Sequence, residues 1–360
     1  MKKVVVKQQK SIKRLVLRAL TVIFTIIFLL VSTLLVIMWI LARGPSPTAQ
    51  RLFVMSVNET SAIGWLANIY LSQAEIDNIL SFSEDDNTLT DTTDTSMITI
   101  NPQRPNRSEI LGLTHIDDNI THFNEDEDLD CDGLELVEVF RNGYKGFMLI
   151  IHDPTRIFLG SPPSFGGNGV KLTDMVANAE AVAGINGGGF YDPGGHGPGG
   201  TPTGFVFDEG VLRWGANSGR TDIVGIDADG ILHVGFMTPT EATQKNIKYS
   251  VAFGPTLISN GVVNNNALGR SGLNPRTAIG QRSDGAILML VVEGRQIDSI
   301  GATYDDLIEV MLSFDAVNAY NLDGGSSAQM IYYGERVIRD AHYTTTRAIP
   351  TGFLVRGLDD

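Results

Sequence analysis

The stretch AYNLDGGSSAQM, residues 319–330, sets one carboxylate, Asp323, between apolar strand text and a turn with almost no side-chain bulk. Leu322 ends the apolar run, and Gly324, Gly325, Ser326 and Ser327 follow. Glycine reaches positive φ and lets a ligand approach the backbone, and amides freed in such a turn can cradle an oxyanion. Two readings stand. Asp323 is held at a ligand site, or it caps its own turn.

A second concentration of chemistry is AGINGGGFYDPGGHGPGGTPTG, residues 183–204. Asn186, Asp192, His196 and Thr201 stand on a backbone rich in glycine, with Gly187, Gly188 and Gly189 directly after Asn186. The run lacks the helix-opening Gly-x-Gly-x-x-Gly of a dinucleotide site and the Gly-Lys-Ser/Thr of a phosphate loop. Short apolar strands on both sides favour a structured loop over a free one. In NPRTAIG, residues 274–280, Arg276 enters a strand after Asn274-Pro275. A guanidinium forms a fork that matches phosphate; a structural salt bridge is the other reading. Arg347 in TTTRAIPTG repeats that setting. In FGPTLISNG, residues 253–261, the Thr256 hydroxyl either lines a pocket or caps a turn.

Several chemistries are weakened. No His-Glu-x-x-His or Gly-x-Ser-x-Gly occurs, which argues against a zinc peptidase and a serine hydrolase. Cys131 is the sole cysteine, so no intrachain disulfide and no cysteine zinc cluster can form. His233 has apolar neighbours and reads as a sheet or core residue.

The elements that must position these groups are mostly strands. LELVEVF, GFMLIIHDPTRIFLG, AVAGIN, GFVFDEG, TDIVGIDADG, ILHVGFM, VAFGPTLI, AILMLVVEG, VNAYNL and QMIYYGERVI alternate or run apolar with β-branched residues. Helices are expected at 172–180 and at 303–314, where Leu307, Val310, Met311 and Phe314 share one face. Ser72 and Glu75 fit a capping box. The pattern predicts an α+β fold, a mixed multi-stranded sheet domain with a few helices over 134–360, without regular βαβ repetition.

The N-terminal end is a different object. Residues 1–18 carry seven basic side chains and no acid, and Ala19 to Ala42 carries no charge at all. Twenty-four helical residues span about 36 Å, against a hydrocarbon core of roughly 30 Å. We therefore expect a basic cytoplasmic tail (1–18), one transmembrane helix (19–42), a helical and partly flexible stalk (43–133) opening on the linker GPSPTAQ, and an extracytoplasmic C-terminal domain. The alternative, a cleaved signal peptide, has a shorter apolar core. Beyond residue 43 the remaining 19 basic residues face all 41 acidic ones, a formal charge of −22. Such a surface repels phosphate backbones, so nucleic acid is excluded as a natural partner.

Taken as a set, NGGGFYD, GPTLISNG, NPRTAIG and VNAYNLDGG resemble the phosphodiester glycosidase family over about residues 134–356, in particular its membrane-anchored, exopolysaccharide-related bacterial branch. The resemblance implies hydrolysis of a sugar-1-phosphodiester in a cell-envelope glycan or glycoconjugate, leaving free sugar and a phosphomonoester. It carries the family's polar positions onto Asn186, Asp192, Arg276 and Asp323, and its glycine turns onto Gly187, Gly188, Gly324 and Gly325. Ser326 stands where the family motif has a third glycine. On this reading Arg276 holds the phosphate, and Asp323 is a general acid or base or supports charge at the sugar C1. Asp192 is the second carboxylate, and Asn186 with the 187–189 amides binds hydroxyls or phosphate oxygens. Gly189, His196, Thr201, Thr256, Ser326 and Arg347 complete the expected substrate site. No cofactor is required; a divalent ion on Asp192 and Asp323 would be Ca or Mg. The alternative is a non-catalytic envelope glycan-binding or exopolysaccharide assembly protein using the same groove.

Overall fold

The structure is a computed structural model, and it describes residues 2–60, 63–81, 93–100, 133–141, 143–216, 218–339 and 346–358. Cys131 and the acidic run 125–132 lie outside the described residues, as does most of the polar stretch 81–109.

The fold is α+β and its sheets are antiparallel. A seven-stranded sheet runs in the order Leu134–Arg141, Tyr144–Ile151, Ile287–Val292, Arg276–Arg282, Ala316–Leu322, Thr256–Ser259, Val262–Val263. One five-stranded sheet has the order Val211–Trp214, Val206–Asp208, Ile247–Ala252, Thr221–Asp227, Leu232–Met237. The other runs Glu335–Arg336, Met330–Tyr332, Ala183–Asn186, Gly352–Val355, Ile157–Gly160. A small ladder joins Val170–Lys171 to Ala348–Ile349.

Alternation explains the layers. In Ala316–Leu322, Tyr320 and Leu322 face the large inter-sheet core with Leu149, Ile185, Val224, Val251 and Phe353, while Ala316 and Ala319 face a second core. That second core is closed by the helix Tyr304–Ser313. Among the described residues the α-helices are α1 (Lys2–Arg43), α2 (Pro47–Asn58), α3 (Gln73–Ser81), α4 (Leu172–Asn178), α5 (Pro239–Gln244) and α6 (Tyr304–Ser313). Thr303 and Asp306 form the capping box that starts α6, and Leu307, Val310 and Met311 are its buried face. His233 is buried in its strand and pairs with Asp227 at 2.8 Å.

Two described segments before the sheets, 47–60 and 93–100, pack against them. The expected linker is a helix start instead: Ser46 accepts a hydrogen bond from Ala49 N, and Pro47 occupies the first turn, where its missing N–H costs nothing. From α2, Ser56 Oγ accepts from Leu273 N at 2.8 Å, and Glu59 beyond its end accepts from Gly272 N at 3.0 Å. Residues 93–100 also pack on the sheets, with Thr99 N donating to Ser283 O at 2.8 Å and Thr93 Oγ1 accepting from Val234 N.

Candidate active site

Four segments converge on one cavity of about 470 Å³. They are the turn 323–327, the loop 189–203, the strand entrance at Asn274 and Arg276, and Glu59–Thr60 from the end of α2. Arg295, Tyr304, Phe253 and Arg347 fill the remaining wall. The volume is in the range of small-molecule sites, which run to roughly 300–1,000 Å³.

The Asp-Gly-Gly turn is glycine because two backbones meet there. Gly325 N donates to Pro275 O at 2.8 Å, and a Cβ at Gly324 would stand 2.7 Å from the same oxygen. Gly325 has φ +58°, and a side chain on it would come within 3.2 Å of the Arg295 guanidinium. The turn is thereby pinned over the start of the Arg276 strand, with Asp323 at the cavity. The protein strips water from its carboxyl and raises its pKa to about 6, with Asp192 adding to the rise. The Ser327 hydroxyl, the Arg347 cation and the Gly324 amide work against that rise.

The glycine loop is structured. Phe190 bridges Pro202, Tyr191 N donates to Thr201 O, and Trp214 Nε1 donates to Pro202 O at 2.8 Å. Asp192 Oδ1 accepts from Gly197 N at 2.7 Å and pairs with Arg347, whose guanidinium lies 4.9 Å over the Phe190 ring. His196 is exposed at the rim.

Asn186 sits behind this surface. It is buried, donates through Nδ2 to Asp323 O at 2.6 Å, and accepts from Thr277 Oγ1 and Gln329 N. With its amide so committed, it holds the Asp323 turn and does not reach the cavity. The three glycine amides after it are committed too: Gly187 N to Thr351 O, Gly188 N to Thr351 Oγ1 and Gly189 N to Ala252 O. They leave no donor row for an oxyanion. Gly187, Gly188 and Thr201 are absent from the lining, and Thr256 is buried with its hydroxyl on Asp222 at 2.9 Å. The need for glycine at 188 is packing. A Cβ there would lie 2.7 Å from Ala252 O and 2.9 Å from the Val251 Cβ. Gly188→Ala is expected to cost about 1–3 kcal/mol, read as a lower Tm in thermal unfolding.

Two arginines face the cavity from the same side. Arg276 is buried and ion-paired. Nη2 donates to Glu59 Oε2 at 2.6 Å and to Gly272 O at 2.7 Å, and Nε donates to Ala302 O. Its guanidinium stacks 4.6 Å over Tyr304. Arg295, which the sequence reading passed over, is half-buried with only neutral partners: Ser326 Oγ, Thr60 Oγ1 and Asn274 Oδ1. Among the described residues no carboxylate lies within ion-pair distance of it. Burial and the neighbouring Arg276 cation both push its pKa down. A cation so placed gains from an anionic ligand. VVEGR carried the missed signal, a basic residue at the glycine that ends an apolar strand, as with Asp323.

A divalent cation finds a thin donor set. Asp192 and Asp323 face the same cavity, but among the described residues no three His, Cys, Asp or Glu side chains gather around one point. Ca or Mg takes six or more oxygens.

The sequence of residues 179–356 matches the family model described as phosphodiester glycosidase. That part of the chain belongs to the phosphodiester glycosidase family. On fold, the chain is similar to the catalytic domain of zebrafish N-acetylglucosamine-1-phosphodiester alpha-N-acetylglucosaminidase, in a form auto-inhibited by pro-peptide. The TM-score is 0.52 at 19% identity, covering 62% of this chain and 82% of that one. A hypothetical protein from Synechocystis aligns with a TM-score of 0.43 at 18% identity over 62% of each chain. The SPbeta prophage-derived uncharacterized protein YomE of Bacillus subtilis (strain 168) is 44% identical over 64 residues. Those residues are 18% of this chain, which spans about a tenth (10%) of the length of that relative. Within residues 179–356, Asp323 and Arg295 face the same cavity.

Proposed function

We propose that the protein hydrolyses a sugar-1-phosphodiester in an extracytoplasmic glycan or glycoconjugate, releasing sugar and a phosphomonoester. The observation that carries this reading is the pairing in one cavity of Asp323, with its pKa raised to about 6, and Arg295, a cation with no carboxylate partner among the described residues. The bond broken joins the sugar C1 to the phosphate oxygen. A phosphomonoester leaves readily as an anion, so Asp323 works ionised: it takes a proton from the attacking water or supports positive charge at C1. Arg295 stabilises the charge gathering on the departing phosphate. Arg276, held by Glu59, orients the wall beside it. Phe253, exposed on the cavity wall, offers a ring face to the apolar side of a sugar. The reading calls for no cofactor; Asp192 and Asp323 are the carboxylates that a Ca or Mg ion would use.

The chain is read as anchored, with its N-terminus cytoplasmic. What supports an anchor kept in the mature protein is the use of its end in folding. Ala42 is fully buried against Val54, Val57, Ala67, Leu71 and Ile76, and Arg43 pairs with Glu75. Removal of α1 as a signal sequence would strip that small core.

The test uses the full chain in detergent with UDP-N-acetylglucosamine and methyl N-acetylglucosamine-1-phosphodiester, following free sugar with and without EDTA. Release that is unaffected by EDTA is the expected result. Release that stops on chelation would put a metal on the two carboxylates. A wider panel of sugar-1-phosphodiesters left intact, but bound, would move the protein to the glycan-binding reading.

A further inference from the structure

The cavity wall and α1 are joined by a short run of hydrogen-bonded residues. Thr60 lines the cavity, and its carbonyl accepts from Ile63 N at 3.0 Å and Gly64 N at 3.1 Å. The short 3-10 helix Gly64–Ile69 begins there. The residue after it, Tyr70, donates its hydroxyl to Leu35 O at 3.1 Å, and its carbonyl accepts from Arg43 Nε at 2.9 Å. Leu35 lies seven residues inside the end of the uncharged stretch at Ala42, about 10 Å along a helix. The segment that follows the cavity wall therefore runs beside the outer end of the apolar span. It exposes its large apolar side chains there: Ile63, Trp65 and Ile69 are 38%, 61% and 49% exposed. Trp39 on α1 and Tyr70 are aromatic residues of the kind that gather at a membrane interface.

The connection is short and stiff. α2 has 12 residues, about 18 Å, and is fixed to the sheet domain by Ser56 on Leu273 and by Glu59 on Gly272 and Arg276. A flexible tether would let the site roam through the envelope; this one holds it within roughly 20 Å of the bilayer surface. We infer that the site works at the surface of the membrane that α1 enters, on a sugar-1-phosphodiester whose other ester group is a lipid of that membrane. The inference rests on the phosphodiester glycosidase reading and narrows its substrate class. The 63–70 segment lies in the lipid interface, so the phosphate of a lipid-linked sugar meets Arg295 while its hydrocarbon stays in the bilayer. Hydrolysis adds water across the C1–O bond, giving free sugar and the lipid phosphate, with no other co-reactant.

The test reconstitutes the full chain in phosphatidylcholine–phosphatidylglycerol vesicles. It compares polyprenyl-phosphate N-acetylglucosamine with the methyl diester of the same sugar and anomer. The expected kcat/KM is at least about tenfold higher for the prenyl diester, since enzyme and substrate then share a surface. The double variant Trp65→Glu/Ile69→Glu should remove that advantage and leave methyl-diester turnover unchanged. In a Trp39→Phe/Trp214→Phe background, brominated lipids should quench Trp65. Equal turnover of both diesters, or equal loss of both in the double variant, overturns the lipid-linked substrate alone. Absence of quenching overturns the placement at the membrane. Turnover of neither diester, with quenching intact, overturns the hydrolase reading on which the inference rests.

Discussion

Asp323→Asn slows sugar release, with kcat lowered by about 10²–10⁴-fold, the scale of a positioned proton-transfer group. Asn is nearly isosteric and neutral, so the Asn186 bond to the 323 carbonyl and the Gly325–Pro275 bond survive, and substrate binding changes little. The pH profile is the sharper readout. Burial raises the Asp323 carboxyl to about 6, and the ionised form is the working one. In the parent, kcat/KM therefore climbs as pH rises through about 6 and levels above it. In Asp323→Asn that ascending limb disappears from the residual rate. A rate that falls through pH 6 would make Asp323 a general acid. Stability moves the opposite way from activity. Because the folded pKa is raised above an unfolded value near 4, the folded state holds this proton more tightly, and the group's contribution is lost as pH rises from about 4 through 6. At pH 7.5 the Asn variant should unfold at a temperature no lower than the parent, which separates lost chemistry from lost fold.

Arg295→Ala is the second large effect, a loss of about 10²–10³-fold in kcat/KM, as for removal of a donor aimed at developing charge. Arg295→Lys recovers part of it, because an ammonium supplies the charge without the planar fork. The fold should tolerate both, since the Arg295 partners are the neutral oxygens of Ser326, Thr60 and Asn274. Arg276 behaves differently. Its removal leaves Glu59 without the cation that holds it and strips a hydrogen bond from Gly272 O and from Ala302 O, so Arg276→Ala should cost about 1–3 kcal/mol of stability and lower Tm along with activity. If Arg295→Ala left turnover intact and Arg276→Ala alone destroyed it without loss of stability, the phosphate role would return to Arg276. Steady-state kinetics beside thermal unfolding of both variants decides between them.

Much of this protein was fixed locally and could be read from its residues. The strand runs alternate or run apolar with β-branched residues, so the α+β class and most strands followed from local pattern. The capping box at Ser72 marked a helix start, since its hydrogen bonds join residues three apart. Asp323 and Asp192 were visible as polar side chains on glycine backbone at strand ends. Sequence could not show which polar residues face the cavity and which brace it. Asn186 and Thr256 look like site residues in their motifs, yet their partners, Asp323 and Asp222, lie 137 and 34 residues away and turn them inward. Arg276 and Arg295 are both basic residues beside strands. Only the docking of α2 decides that Glu59, 217 residues before Arg276, occupies the first and leaves the second for a ligand. The same docking turns a segment that reads as a stalk into a wall of the site. Short-range signals fix elements because their bonds are local. Partner choice among like side chains is set by tertiary packing, where the two members of a pair share no local sequence.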